Sequence, residues 1–141
     1  MKISAEKHDY GGIDIGHVSS FHRTITREDG LRFSQFTGDR NPLHVNSDFG
    51  KESRFGNNIV HGMLLAGLFS TLVGMYCPGE RSLYLSQTAQ FRLPLFYGEE
   101  VEVRGTVTDK SDAIMIVTLK MEIFRGDDLI VVGEAKVKLA S

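Results

Sequence analysis

From residue 83 to the end, apolar side chains recur at every second position in four runs. Over 83–93 the odd positions are Leu83, Leu85, Gln87, Ala89, Phe91 and Leu93, with mostly polar residues between them. Over 99–108, Val101, Val103 and Val107 alternate with Glu100, Glu102 and Arg104. Over 113–123 one face carries Ala113, Met115, Val117, Leu119, Met121 and Ile123. Over 129–139 one face carries Leu129, Val131, Ala135, Val137 and Leu139, opposite Glu134, Lys136 and Lys138. Period two predicts strands with one buried face. The segments Asp109–Asp112 and Arg125–Asp128 are rich in turn formers, and connections this short imply an antiparallel meander. Residues 18–25 (VSSFHRTI) predict a further short strand.

The first half of the chain reads differently. A short helix is expected from Thr26, whose hydroxyl can cap it, with Glu28 and Asp29 favourable in its first turn. Phe33 and Phe36, three apart, should share its buried face, and Gly38 suits a left-handed C-terminal turn. Pro42 forbids a smooth continuation. Residues 55–79 carry no formal charge if His61 is neutral. His61, Ser70, Thr71 and several glycines interrupt this run, which predicts a buried helix of about 16 residues, Val60 to Met75, roughly 24 Å long, and not a membrane span. Gly67, Ser70 and Gly74 leave one side nearly bare, fit for close backbone approach. A helix apolar nearly all round should be enclosed. Curling the antiparallel sheet around it buries both, an α+β layout. Ile114, Ile116, Ile130 and Val132 fall on the outer sheet face and predict that part of it is covered, most simply in a dimer. Met1–Gly16 shows no pattern.

At 141 residues the chain is expected to form one domain over 1–141. A formal charge of −2, with both signs interspersed, argues against nucleic acid or an anionic membrane as partner. One cysteine, Cys77, cannot make an internal disulfide, and no stretch resembles a secretory leader. A reducing, cytoplasmic setting is expected, with Cys77 a structural thiol.

The candidate chemistry sits between the two helices. On a regular helix Asp39 and His44 would diverge by roughly 140°. On a loop tightened by Gly38 and Pro42 they can converge, giving an acid–base pair that works near neutral pH. Spacing alone leaves open that Asp39 caps a turn and His44 is an ordinary loop residue. The long helix starts near Gly62, where unpaired backbone N–H groups and the positive dipole end suit an oxyanion hole. Asn57 or Asn58 capping that helix is the plainer reading. Asp39, His44 and His61 show no recognised metal-ligand spacing, so no metal and no cofactor is expected.

The run Phe33–His44 (FSQFTGDRNPLH), with GDxNPxH inside it, resembles the signature of the MaoC-like dehydratases, hot-dog-fold proteins that include the (R)-specific enoyl-CoA hydratases. Phe55–Ser70, containing IVHGMLLA, is similar to that family's central helix, and Tyr84–Gln87 to one of its strands. The resemblance covers roughly residues 17–139. It implies a hot-dog fold, an antiparallel sheet wrapped around a long central helix. It implies that Asp39 and His44 grip the reacting water, that the Gly62 N–H polarises the thioester carbonyl, that Ser70 supports the dyad and that Asn41 and Pro42 shape the loop. The expected reaction is reversible syn hydration of a trans-2-enoyl-CoA to the (R)-3-hydroxyacyl-CoA. The alternatives are a dehydratase of 3-hydroxyacyl carrier protein and a non-catalytic acyl-CoA-binding subunit. An acyl-CoA or acyl-carrier-protein thioester and a homodimer are the implied partners. Two departures, Phe36 in place of an aliphatic residue and Gly50 in place of Ala or Ser, put the pocket's shape in doubt more than its chemistry.

Overall fold

A computed structural model describes residues 1–140. Strand β1, Val18–Thr24, leads through Ile25 and Thr26 into helix α1, Arg27–Thr37. Thr26 builds a full capping box. Its hydroxyl accepts the Asp29 N–H at 3.2 Å, and the Asp29 carboxylate accepts the Thr26 N–H at 2.9 Å. Gly38 closes the helix with φ of 82°, a left-handed turn that favours glycine. Two short helices follow, α2 (Pro42–Val45) and α3 (Ser47–Glu52), and then the long helix α4, Gly62–Met75.

The rest is sheet: β2 (Ser82–Gln87), β3 (Gln90–Phe91), β4 (Glu100–Ser111), β5 (Ile116–Arg125) and β6 (Asp128–Leu139). All pairings are antiparallel, in the order β1-β4-β5-β6-β2, with β3 also on β6. The β4-β5-β6 meander is in register across its inner face. Val103 pairs with Ile123, which pairs with Val131, and Val107 pairs with Leu119, which pairs with Ala135. Helix α4 lies on that face against β1, β2, β4 and β6. Leu65, Leu68, Phe69, Leu72 and Val73 of α4 are buried there. Gly105 on β4 gives the helix room, since a Cβ would overlap the Leu72 side chain. No helix of the described residues is long and apolar enough to cross a membrane.

Several expectations are corrected. The phase of β2 is inverted: Leu83 and Leu85 face outward and Tyr84 packs on the core. This strand sits at the end of the sheet order, with a register shift between Tyr84 and Ser86. The β4–β5 turn falls three residues later than its turn formers suggest. A register shift between Val107 and Asp109 absorbs one residue, β4 runs on to Ser111, and Ala113 and Met115 lie in the turn, exposed. Ile130, assigned to the outer face, is buried, and its carbonyl receives the Arg92 N–H of the chain leaving β3.

Phe36 does not share a buried face with Phe33. It is 91% exposed. Helix α4 begins two residues later than expected because the chain before it is extended and tied to the run before β4, with the Val60 N–H on the Leu95 carbonyl and a bridge from Ile59 to Phe96. Nor is α4 fully enclosed within one chain: Met63 is 66% exposed, and Gly67 and Ser70 are exposed on the same side.

Phe69, fully buried at the centre of α4, carries most weight in this contact. Phe69→Ala should lower the unfolding free energy by about 3–5 kcal/mol, read from the urea midpoint at constant m-value.

Candidate active site

Asp39 and His44 lie on the turn from α1 to α2. Asn41 caps α2 by accepting the Leu43 N–H at 3.0 Å, and Pro42 takes the first helical position, where its missing N–H costs nothing. The Asn41 N–H donates to the Asp39 carboxylate at 3.2 Å, so the turn orients the acid as it turns the chain. Helix α2 is a single turn and needs outside support. Asn58, fully buried, supplies it: its amide donates to the carbonyls of Leu43 at 2.9 Å and Asn46 at 2.8 Å, and its oxygen accepts from Arg27 at 2.9 Å. Gly50 is what admits Asn58, because a Cβ there would stand 2.6 Å from the Asn58 N. The Tyr97 hydroxyl donates to the His44 carbonyl at 3.0 Å from the other side.

The tautomer of His44 follows from its partner. Its Nδ1 lies 2.8 Å from the Ile59 carbonyl, which can only accept, so Nδ1 carries the hydrogen and Nε2 is left with a bare lone pair. His61 obeys the same logic in mirror form. Its Nε2 donates to the Asp39 carbonyl at 3.2 Å, and its Nδ1 has no partner among the described residues. The two imidazoles stack with centroids 4.1 Å apart and planes 26° apart, and Phe33 flanks the far side of His61 at 4.8 Å. Burial pushes the His61 pKa below its usual range, and the neighbouring His44 pushes the same way, against the pull of the Asp39 carbonyl. His61 is therefore neutral at neutral pH. The Asp39 carbonyl also accepts the hydroxyl of buried Ser34 at 2.7 Å. Two donors thus fix the backbone that carries the acid.

Gly62 opens α4. The Leu64 and Leu65 N–H groups reach the His61 carbonyl, while no acceptor among the described residues takes the Gly62 N–H. The helix has no side-chain cap. Asp39, His44, His61 and Gly62 line one cleft of about 460 Å³ with Phe55, Phe91, Leu95 and other apolar residues. A Cβ on Gly62 would stand 2.9 Å from the Phe91 ring, so glycine here keeps both the ring and the N–H accessible to the cleft.

Comparison with known proteins shows the family. A family model described as a MaoC-like domain matches residues 14–123. The chain belongs to the MaoC-like family. It is 40% identical over 128 residues to an (R)-specific enoyl-CoA hydratase of Aeromonas caviae, spanning 90% of this chain and 96% of that one. A mitochondrial 3-hydroxyacyl-[acyl-carrier-protein] dehydratase of Solanum lycopersicum is 34% identical, spanning 92% and 79%. Among solved structures, an (R)-hydratase from A. caviae involved in PHA biosynthesis superposes with a TM-score of 0.88 at 40% identity, over 90% of this chain and 97% of that one. The hot-dog fold follows directly: a six-stranded antiparallel sheet with α4 against its inner face.

Within this MaoC-like site, sequence reasoning missed three residues. Ser70, expected to support the dyad, does not line the cleft. It lies eight residues beyond Gly62, about 12 Å along the helix, and is exposed. The residues that do support Asp39 and His44 are Ser34, Asn58 and His61, all buried and polar. Neither Asn57 nor Asn58 caps α4; Asn58 serves α2 instead. Asp39, His44 and His61 bring one nitrogen or oxygen each within 4.8 Å of the others, which is within the reach of a metal ion.

Because folding lowers the pKa of His61, its neutral burial contributes stability that is fully present above the unfolded value of about 6.5. That contribution is lost as pH falls toward the folded value. His61→Gln removes the titration, so the drop in unfolding free energy from pH 7 to pH 5 should be smaller in this variant than in the natural chain, as measured by urea melts at each pH.

Proposed function

We propose that this chain is an (R)-specific enoyl-CoA hydratase, adding water reversibly and in syn fashion across the 2,3-double bond of a trans-2-enoyl-CoA. One observation carries the reading: the bare Nε2 of His44 and the Asp39 carboxylate share a cleft with the unpartnered first N–H of α4. Fixed acceptors for a water and a fixed donor for an oxyanion are the two requirements of this chemistry. The thioester carbonyl accepts the Gly62 N–H, which draws charge from C3 and stabilises the enolate as it forms. The dyad holds one water, takes a proton from it as its oxygen bonds to C3, and returns a proton to C2 from the same side. No atom is left over, and elimination retraces the path. Hydration and dehydration are also what the A. caviae and S. lycopersicum relatives are named for. The second of these favours an alternative reading, dehydration of 3-hydroxyacyl carrier protein by the same dyad.

The exposed side of α4 supports a homodimer. Met63, Gly67 and Ser70 form an uncharged stripe on a helix whose other side is core, and the small residues allow a second backbone to approach. A second copy packed there would bury Ser70. In a dimer of this kind the working enzyme is a cytoplasmic protein of one domain per chain.

Asp39→Asn and His44→Gln should each lower kcat for crotonyl-CoA hydration by about 10²–10⁴-fold, followed as loss of enoyl absorbance, with an unchanged far-UV spectrum. Full activity in either variant would remove the site assignment. For the dimer, the natural chain should elute at twice 15.7 kDa, and Gly67→Arg at the monomer mass. Elution of the natural chain as a monomer would discard the dimer.

A further inference from the structure

The chain has nine arginines, and five of them sit on carboxylates: Arg23 on Asp29, Arg32 on Glu28, Arg81 on Asp9, Arg104 on Glu102 and Arg125 on Glu99. Arg27 is taken up by the Asn58 oxygen and the face of Tyr97. Arg40, Arg54 and Arg92 have no carboxylate partner among the described residues. Two of these three, Arg54 and Arg92, line the cleft of Asp39, His44 and Gly62. They reach it from different parts of the chain, Arg54 from the turn between α3 and α4 and Arg92 from the segment just after β3. Each is oriented by a neutral neighbour. The Arg54 guanidinium lies 4.8 Å from the Phe55 ring centroid, and Arg92 donates to the Gln90 side chain at 2.8 Å. Orientation without neutralisation leaves both charges available.

Nothing in an enoyl thioester needs two cations, because the acyl chain is apolar and the thioester neutral. The carrier does need them. We infer that Arg54 and Arg92 bind the phosphates of a nucleotide carrier, so that this site selects a coenzyme A thioester over one borne by a carrier protein. The inference rests on the hydratase reading for the thioester but on the arginines for the carrier. A guanidinium offers a rigid fork of donors that matches phosphate oxygens in pairs. An acidic carrier protein would call instead for cations spread over the surface around the cleft. The lysines without a carboxylate partner among the described residues, Lys7, Lys51, Lys110 and Lys138, do not line the cleft, and net charge is −2. Of the cations, Arg54 and Arg92 are the two that line the cleft, while Arg40 beside Asp39 does not.

The test has a binding arm and a kinetic arm, both on the full chain. Titration calorimetry with 3′-phosphoadenosine 5′-diphosphate, the phosphate-bearing fragment without acyl or thioester, should show binding that weakens with rising salt. Binding should weaken at least about tenfold in the Arg54→Gln/Arg92→Gln double variant, and Arg54→Lys/Arg92→Lys should recover part of it. In the kinetic arm, the double Gln variant should lose at least about tenfold more kcat/KM on crotonyl-CoA than on the crotonyl thioester of N-acetylcysteamine, which has no phosphate. Equal losses on the two thioesters, undiminished binding of the nucleotide, or a greater loss on a crotonyl carrier protein than on crotonyl-CoA would each overturn the inference. Failure of the natural chain to hydrate either small thioester would overturn the hydratase reading instead, and the calorimetry would still decide the role of the arginines.

Discussion

A buried neutral imidazole has one hydrogen to give, and in this protein His61 gives it to the Asp39 carbonyl. The constraint spreads outward from there. With Nε2 committed, Nδ1 has no partner among the described residues. Charging the ring would add a cation against the stacked face of His44, so the neutral state is enforced by geometry as well as by burial. Since His61 also directly precedes α4, one residue fixes the acid's backbone, the base's ring face and the start of the helix that offers the Gly62 N–H.

The scaffold makes that position possible. The extended Ile59–Val60 segment is tied to Leu95 and Phe96, and α4 cannot begin until the chain leaves that pairing. The first helical residue, Gly62, lines the cleft, and the body of the helix is anchored by Phe69 and Leu72. Only one side of α4 is covered by its own sheet. The same architecture that brings the helix end to the cleft leaves a strip of small residues exposed.

The elements governed by periodicity were legible in the sequence: the β4-β5-β6 meander, the capping box at Thr26 and the αL turn at Gly38 all follow from local rules. Where two neighbours competed, reading failed. β2 alternates as cleanly as the other strands, yet its apolar residues Leu83 and Leu85 face out, because alternation gives a period and not a direction. Asp39, His44 and Gly62, which line one cleft, could be picked from motif spacing. Ser34, Asn58 and His61 could not. Each acts through a partner 5 to 31 residues away, and a buried polar residue has no signature until its partner is known. Gly50 shows the same limit from the other side. It reads as a departure from the family pattern, and its reason is the Asn58 amide it makes room for.

Charge divides the cleft as sharply as hydrogen bonding does. Asp39 is the one carboxylate lining it, and Arg54 and Arg92 are the cations. Among the described residues, Asp39 pairs with neither arginine. Asp39 is instead directed by the Asn41 N–H and its own pinned carbonyl, while the arginines rest on Phe55 and Gln90. Neutral partners do the orienting on both sides of the cleft. Opposite charges thus line one cleft without pairing with each other.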